Sequence, residues 1–257
     1  MNRRLLLATI AVLLLIGLAG CAAIFGGISD EDLDRDQDYE DLKDRDADVA
    51  VDIGESGIIT DGEFRAVYDL NGTEELSLYR STFYTDHALD IHSVRYWYPN
   101  GTEVTGSDLY VDQGRSSTEV RVPDGNGTLA FTGSAGSHTF QLPAYTHGSY
   151  EVTTPAGYRT SNFLFGNVAP GGYDREVVDD QERLTWDHVD STISLRYYNE
   201  RNIPLFLGLV GVVILLGGAG IGYYYREVNR LQEQREEMGL DVDIDDDDDR
   251  GPPPGFG

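Results

Sequence analysis

Apolar and polar positions divide the chain into two uninterrupted apolar runs and, between them, a series of short segments in which the two alternate. The first run, residues 5–20, is sixteen residues without a charge, and the second, 203–225, is 23. As a helix the second run is ~34 Å long, enough to cross a hydrocarbon core of ~30 Å. Pro204 falls in its first turn, where a missing N–H costs little. Tyr223, Tyr224 and Tyr225 close it and Arg226 follows, an interfacial aromatic end. A transmembrane helix is therefore expected at 203–225. The alternating segments are 63–68, 75–80, 93–98, 118–122, 128–131 and 192–197. Period two with β-branched and aromatic residues predicts half-buried strands. Gly, Asn, Asp and Pro punctuate them at a spacing of roughly 8–12 residues, the pattern of a sandwich or barrel. The expected fold is mainly β: a single extracytoplasmic β-sandwich or barrel-like domain at 49–200, followed by one transmembrane helix.

The first apolar run follows Arg3 and Arg4 and ends in Leu18-Ala19-Gly20-Cys21, and Cys21 is the only cysteine. A basic start, an apolar stretch and small residues before a cut site make a secretory signal at 1–21. Its last four residues resemble a lipobox, which implies lipidation of Cys21. The other reading is an uncleaved signal anchor, since 5–28 is long enough to span. Either way the following residues lie outside the membrane. The basic residues flanking the second run are balanced, Arg183, Arg196 and Arg201 against Arg226, Arg230 and Arg235. Orientation thus follows from the first run: 22–202 outside, 226–257 cytoplasmic. A single cysteine excludes an internal disulfide framework and any multi-cysteine metal site.

The net charge is −26, from 45 acidic and 19 basic residues, and Lys43 is the one lysine beside 18 arginines. Such self-repulsion is costly in dilute buffer, but in molar salt the screening length falls to ~3 Å. The composition reads as halophilic, and it excludes nucleic-acid binding through a basic surface. Much of the excess sits in two segments. Residues 29–55 hold 13 acidic groups against Arg35, Lys43 and Arg45, so 22–48 is expected to be an acidic disordered tether. The alternating aspartates from Asp30 to Asp38 invite a calcium loop, but an EF-hand register from Asp34 puts Tyr39 where glycine is required and Arg45 where glutamate is required. Residues 226–257 read as a short charged helix, an acidic run and a Pro-Gly end.

No GxSxG, HExxH, CxxC or P-loop occurs. No catalytic, cofactor-binding or metal-ligating residue is therefore assigned. His87 and His92, with Asp86 and Asp90 beside them, meet only if a loop folds them together. Asn71, Asn100 and Asn126 each begin Asn-Gly-Thr. Each triplet is both a glycosylation acceptor and a good hairpin turn, and the two readings stand side by side. Gly211, Gly218 and Gly222 share one face of the apolar helix, and the last two form a GxxxG pair suited to helix packing and self-association. Tyr96, Trp97 and Tyr98 are the densest aromatic cluster, read as core rather than as a sugar platform. Residues 155–173, rich in turn formers around Asn162-Phe163-Leu164-Phe165, read either as a buried strand or as a loop that meets a membrane or partner.

With the lipobox-like start, acidic arginine-rich composition, β-domain and terminal membrane helix in view, the chain resembles uncharacterised membrane-anchored envelope proteins of haloarchaea. The resemblance covers the whole architecture and implies a cell-membrane location, with no catalytic residues carried over. Two function classes follow. The first is a non-enzymatic envelope protein whose outer domain binds or organises envelope components, with a possible relay to a cytoplasmic partner through the tail. The second is an extracellular hydrolase whose site is assembled from distant residues such as His87, His92, His138 or His188 with carboxylates. If Cys21 carries lipid, Cys21→Ser abolishes metabolic labelling with a lipid precursor, and unchanged labelling rejects the lipobox reading.

Overall fold

The computed structural model describes residues 27–55, 62–82, 85–136 and 138–237. Residues 1–26, which include Cys21 and the expected signal segment, and the tail from residue 238 on lie outside these residues. The chain forms two units, one ending at Glu200 and one beginning at Arg201. The first is a multi-sheet β-domain whose strands are numbered β1 to β17 along the chain. Its largest sheet has eight strands in the order β14 (Asp174–Val178), β15 (Gln181–Val189), β11 (Gly148–Thr153), β1 (Val49–Ile53), β2 (Gly62–Asp69), β9 (Thr128–Ala135), β5 (Ile91–Trp97) and β6 (Glu103–Thr105). Only β1 and β11 pair in parallel within it; every other pair is antiparallel. A four-stranded sheet follows the order β4 (Asp86–Ala88), β3 (Glu75–Ser81), β8 (Thr118–Arg121), β7 (Tyr110–Gln113). A three-stranded sheet has β10 (Thr139–Leu142), β16 (Ile193–Arg196) and β13 (Asn167–Ala169), and β12 (Tyr158–Arg159) pairs with β17 (Tyr198–Asn199).

The alternation in the strands sorts residues between two faces of the large sheet. One face sends Val49, Val51, Phe64, Tyr68, Phe131, Tyr150, Val152 and Trp186 into the main core. There they meet Leu76, Leu78 and Val120 of the four-stranded sheet and Phe140, Ile193 and Leu195 of the three-stranded one. Phe64 packs edge-on against both Phe131 and Phe140, at 6.1 and 5.1 Å between ring centroids. All six segments expected as strands are strands, and the core is built across sheets as a sandwich requires.

The other face carries Ala50, Val67, Ala130 and Trp97, and the acidic N-terminal segment covers it. Residues 27–48, expected as part of a disordered tether, instead form a strap with two short helices, α1 (Asp30–Leu33) and α2 (Glu40–Lys43). Ser29 caps α1 by accepting from the Asp32 amide at 3.1 Å, and three acidic residues fill its first turn. Leu33, Tyr39 and Leu42 are buried, at 4, 2 and 2 % exposure. Tyr39 and Leu42 pack on Ala50, Val67 and Ala130, and Tyr39 meets Trp97 edge-on at 6.4 Å. The correction has a physical basis. The acidic background leaves three large apolar side chains within ten residues: Tyr39 and Leu42 meet a sheet face of small residues, and Leu33 joins the main core.

The Tyr39 hydroxyl donates to the Ser93 carbonyl at 2.8 Å. Thr132 Oγ1 lies 2.7 Å from the same oxygen and donates to it, the tyrosine proton being already committed. Ser93 has φ +54° and sits in a β-bulge, where β5 gains a residue over β9 between His92 and Arg95. The bulge frees a carbonyl from the ladder, and Tyr39 satisfies it. Burial pushes the phenol of Tyr39 up to about 12, so the group stays a donor at any ordinary pH.

Arginines pin the rest of the strap. Arg65 forks onto both carboxylate oxygens of Asp41 at 2.9 and 3.0 Å and also reaches Asp52 at 2.7 Å. Buried Arg95 donates to the carbonyls of Asp34 and Arg35 at 2.9 and 3.1 Å. Arg45 and Arg183 share the Glu151 carboxylate. Asp34 accepts from the amide and hydroxyl of Ser107, and Asp48 from those of Ser149, which holds both carboxyls below their usual range.

The second unit is described by α3 (Asn202–Glu237), whose apolar part is unburied. It is long and apolar enough to cross a membrane, and it runs without interruption through the expected span 203–225. Gly211, Gly218 and Gly222 have nothing within 4 Å of where a Cβ would stand.

Tyr39→Phe removes one buried hydroxyl shared by two partners and should cost about 1–2 kcal/mol of domain stability. Tyr39→Ala also opens a cavity and should cost about 3–5 kcal/mol. Denaturant unfolding followed through tryptophan fluorescence reads both, and an unchanged midpoint for Tyr39→Ala would show that the strap does not carry the sheet.

Candidate functional site

The segment 155–173 resolves the choice between strand and loop. Residues 163–165 form a turn, with Phe163 86 % and Leu164 60 % exposed. The turn is built from the Asn162 side chain, whose Oδ1 accepts from the Leu164 amide at 2.9 Å. The Asn162 carbonyl accepts from the amides of Phe165 and Gly166 at 3.2 and 2.7 Å. Gly166 is required, because a Cβ there would lie 2.0 Å from the Thr160 carbonyl oxygen.

The base of this turn is anchored in the domain. Glu182, only 1 % exposed, accepts from the Thr160 amide and pairs with Arg175 Nε at 2.7 Å. Arg175 also donates to Thr160 Oγ1 at 3.1 Å and lies over the Tyr173 ring at 5.4 Å. On the other side the Phe165 ring stands 6.0 Å from that of Tyr198. Tyr198 in turn pairs with Arg159 through the β12–β17 ladder, and the Glu200 amide donates to the Gly157 carbonyl at 3.0 Å. A half-buried ion pair and a ladder thus hold the base of a turn whose two apolar tip residues stay in solvent.

A second feature is polar. Arg80 and Gln141 line two clefts of about 180 and 390 Å³. Arg80 donates to the carbonyl and hydroxyl of Ser134, and among the described residues no carboxylate pairs with it. His87 is its cross-strand partner.

Asn71, Asn100 and Asn126 are all exposed. Asn100 and Gly101 form the hairpin between β5 and β6, with Gly101 at φ +83°. Asn71 and Asn126 do not sit in hairpins. They lie in two corners linking the large sheet to the four-stranded one, and these corners pair with each other: Gly72 N–H donates to the Gly125 carbonyl, and Leu70 N–H to that of Gly127. His92 lies between Ser93 Oγ at 2.8 Å and Glu63 at 3.3 Å. Among the described residues no three His, Cys, Asp or Glu side chains gather as a metal site. Tyr96 is buried in the main core, and Lys43 covers the Trp97 ring at 4.3 Å.

A family model described as a family of unknown function, DUF5803, matches residues 44–243, which includes the β-domain from β1 onward and all of α3. The chain belongs to this family. Leu33, Tyr39 and Leu42 of the strap precede the matched span of this DUF5803 member. No curated protein matches the chain. Among solved structures, a candidate protease from Parabacteroides distasonis aligns at 11 % identity with a TM-score of 0.31, over 58 % of this chain and 39 % of that one. The chain therefore spans about two fifths of that protein's length, and a likeness this low carries no argument about fold or activity.

Glu182→Gln removes the ion pair with Arg175 and weakens the bond to the Thr160 amide. Arg175 is partly solvated, so the cost should be about 1–3 kcal/mol, below that for a fully buried pair. Amide exchange across residues 160–166 should speed up more than in β1 or β2; uniform loss across the domain would show that Glu182 does not anchor the turn in particular.

Proposed function

We propose that this protein is a membrane-anchored, non-enzymatic envelope component whose outer β-domain binds or organises other envelope constituents. Its apolar helix supplies the anchor, with the β-domain extracytoplasmic and the charged tail cytoplasmic, where it is placed to relay to a partner. The signal-like start, with Cys21 as a lipid attachment point, adds a second hold on the membrane. The acidic, arginine-rich surface suits a halophilic setting, and the exposed Asn71, Asn100 and Asn126 suit glycosylation on the outer side. Gly211, Gly218 and Gly222 offer a bare helix face for self-association.

The observation that carries the binding role is the turn at 162–166. Its apolar tip is exposed and its base is fixed by Glu182, Arg175 and Tyr198. Ordering such a surface in advance lowers the entropy that a binding event must offset.

In-cell crosslinking at native salt, followed by affinity isolation and mass spectrometry, tests this reading. A reproducible envelope partner crosslinked to the β-domain is expected. A chain recovered repeatedly alone, with crosslinks only within itself, would overturn the organising role.

A further inference from the structure

We propose that the 162–166 turn is a lipid-contacting element, with Phe163 and Leu164 inserted into the interfacial layer of the same bilayer that α3 spans. The proposal rests on the membrane-anchor reading above and specifies what the domain's apolar tip meets.

Several contacts join the turn's segment to the last residues of the β-domain. Arg159 and Tyr198 are ladder partners, Gly157 accepts from the Glu200 amide, and Phe165 packs on Tyr198. From Tyr198 to Ile203, where the apolar run begins, five residue steps reach at most ~18 Å. This bound comes from covalent length alone. The headgroup layer on each side of the hydrocarbon core adds several ångströms, since the core is ~30 Å of a ~40–45 Å bilayer. Covalent length thus keeps Tyr198, on which Phe165 packs, within ~18 Å of the start of the span, which leaves lipid contact open to the turn.

Its chemistry matches that setting. The tip is an adjacent Phe and Leu with no charged side chain between Arg159 and Asp174 in sequence. Aromatic and leucine side chains are those that bury at the boundary between headgroups and acyl chains. The fold uses the rest of this stretch, pairing Asn167–Ala169 as β13 and turning Phe165 back to Tyr198, but it leaves the tip outside, with Phe163 86 % exposed. The turn is also held by the Asn162 hydrogen bonds and, at its base, by Glu182, which lowers the cost of presenting its tip to lipid.

The test uses the full chain reconstituted in vesicles of phosphatidylcholine and phosphatidylglycerol, with and without phosphatidylcholine brominated on its acyl chains. Phe163→Trp adds a reporter at an exposed position, and Leu164→Trp repeats the measurement next to it. The signal is the difference from the unsubstituted protein, which has two tryptophans of its own. Leu215→Trp, within the apolar helix, reports the anchor. Brominated lipid is expected to remove roughly half or more of the added fluorescence at 163 or 164, and aqueous iodide little of it. Quenching by iodide without a bromolipid effect would place the turn in water and overturn the proposal. Protection from both quenchers would indicate a protein cover, a second copy or another partner, and would also overturn it. If Leu215→Trp is quenched by bromolipid in those cases, the anchor stands and only the lipid contact fails. If it is not, the anchor reading fails with it.

Discussion

An eight-stranded sheet has two faces, and only one of them is covered by the other strands of this domain. The second face carries small apolar residues and a free carbonyl at the Ser93 bulge. Left open, it would present apolar surface and an unsatisfied backbone group to the same solvent. Tyr39 resolves both problems at once, with its ring on Ala50, Val67 and Ala130 and its hydroxyl on Ser93 and Thr132. Around that contact the strap is fastened by arginines at Arg65, Arg95 and Arg45, each reaching a strap carboxylate or carbonyl, or supplied by the strap to a sheet carboxylate.

This arrangement changes the meaning of the acidic composition. The carboxylates of the strap are not only a solvated surface. Asp41 neutralises Arg65, and Asp34 and Asp48 cap Ser107 and Ser149 of the domain. Arginine suits the task better than lysine, because a planar fork reaches two acceptors and remains charged when desolvated. Most of these pairs are partly exposed, so each contributes modestly; their collective effect is to choose one register for a segment that is otherwise strongly self-repelling.

The same economy appears at the other end of the domain. Glu182 is nearly inaccessible, yet its charge is matched by Arg175 and its second oxygen takes the Thr160 amide. With Arg175 partly exposed, the pair contributes modestly to stability. Here it fixes the base of a turn whose tip is left apolar and exposed. The β12–β17 ladder carries that turn's segment alongside Tyr198 and Asn199, the last paired residues of the β-domain.

The strands and the membrane-length helix were legible in the amino-acid sequence because their signals are local. Alternation in 63–68 or 118–122 reports a half-buried strand, and 23 uncharged residues report a helix of bilayer length, whatever lies elsewhere. The strap was not legible. Its composition is that of a solvated linker, and Tyr39 finds its partners 54 and 93 residues away. Nor was it visible that Asn71 and Asn126 sit in paired corners, because a hairpin and a crossover start from the same Asn-Gly signal and differ only in which sheet the next strand joins. For residues 155–173 the sequence left two readings open, and burial decided between them: Phe165 finds Tyr198, whereas Phe163 and Leu164 find no neighbour in the domain to cover them. Sequence by itself determined which segments are strand and which is membrane-length helix, since those depend on the period and length of apolar positions. Tertiary structure alone decided which face is covered, by what, and which apolar residues are left outside, since those depend on contacts between residues far apart in the chain.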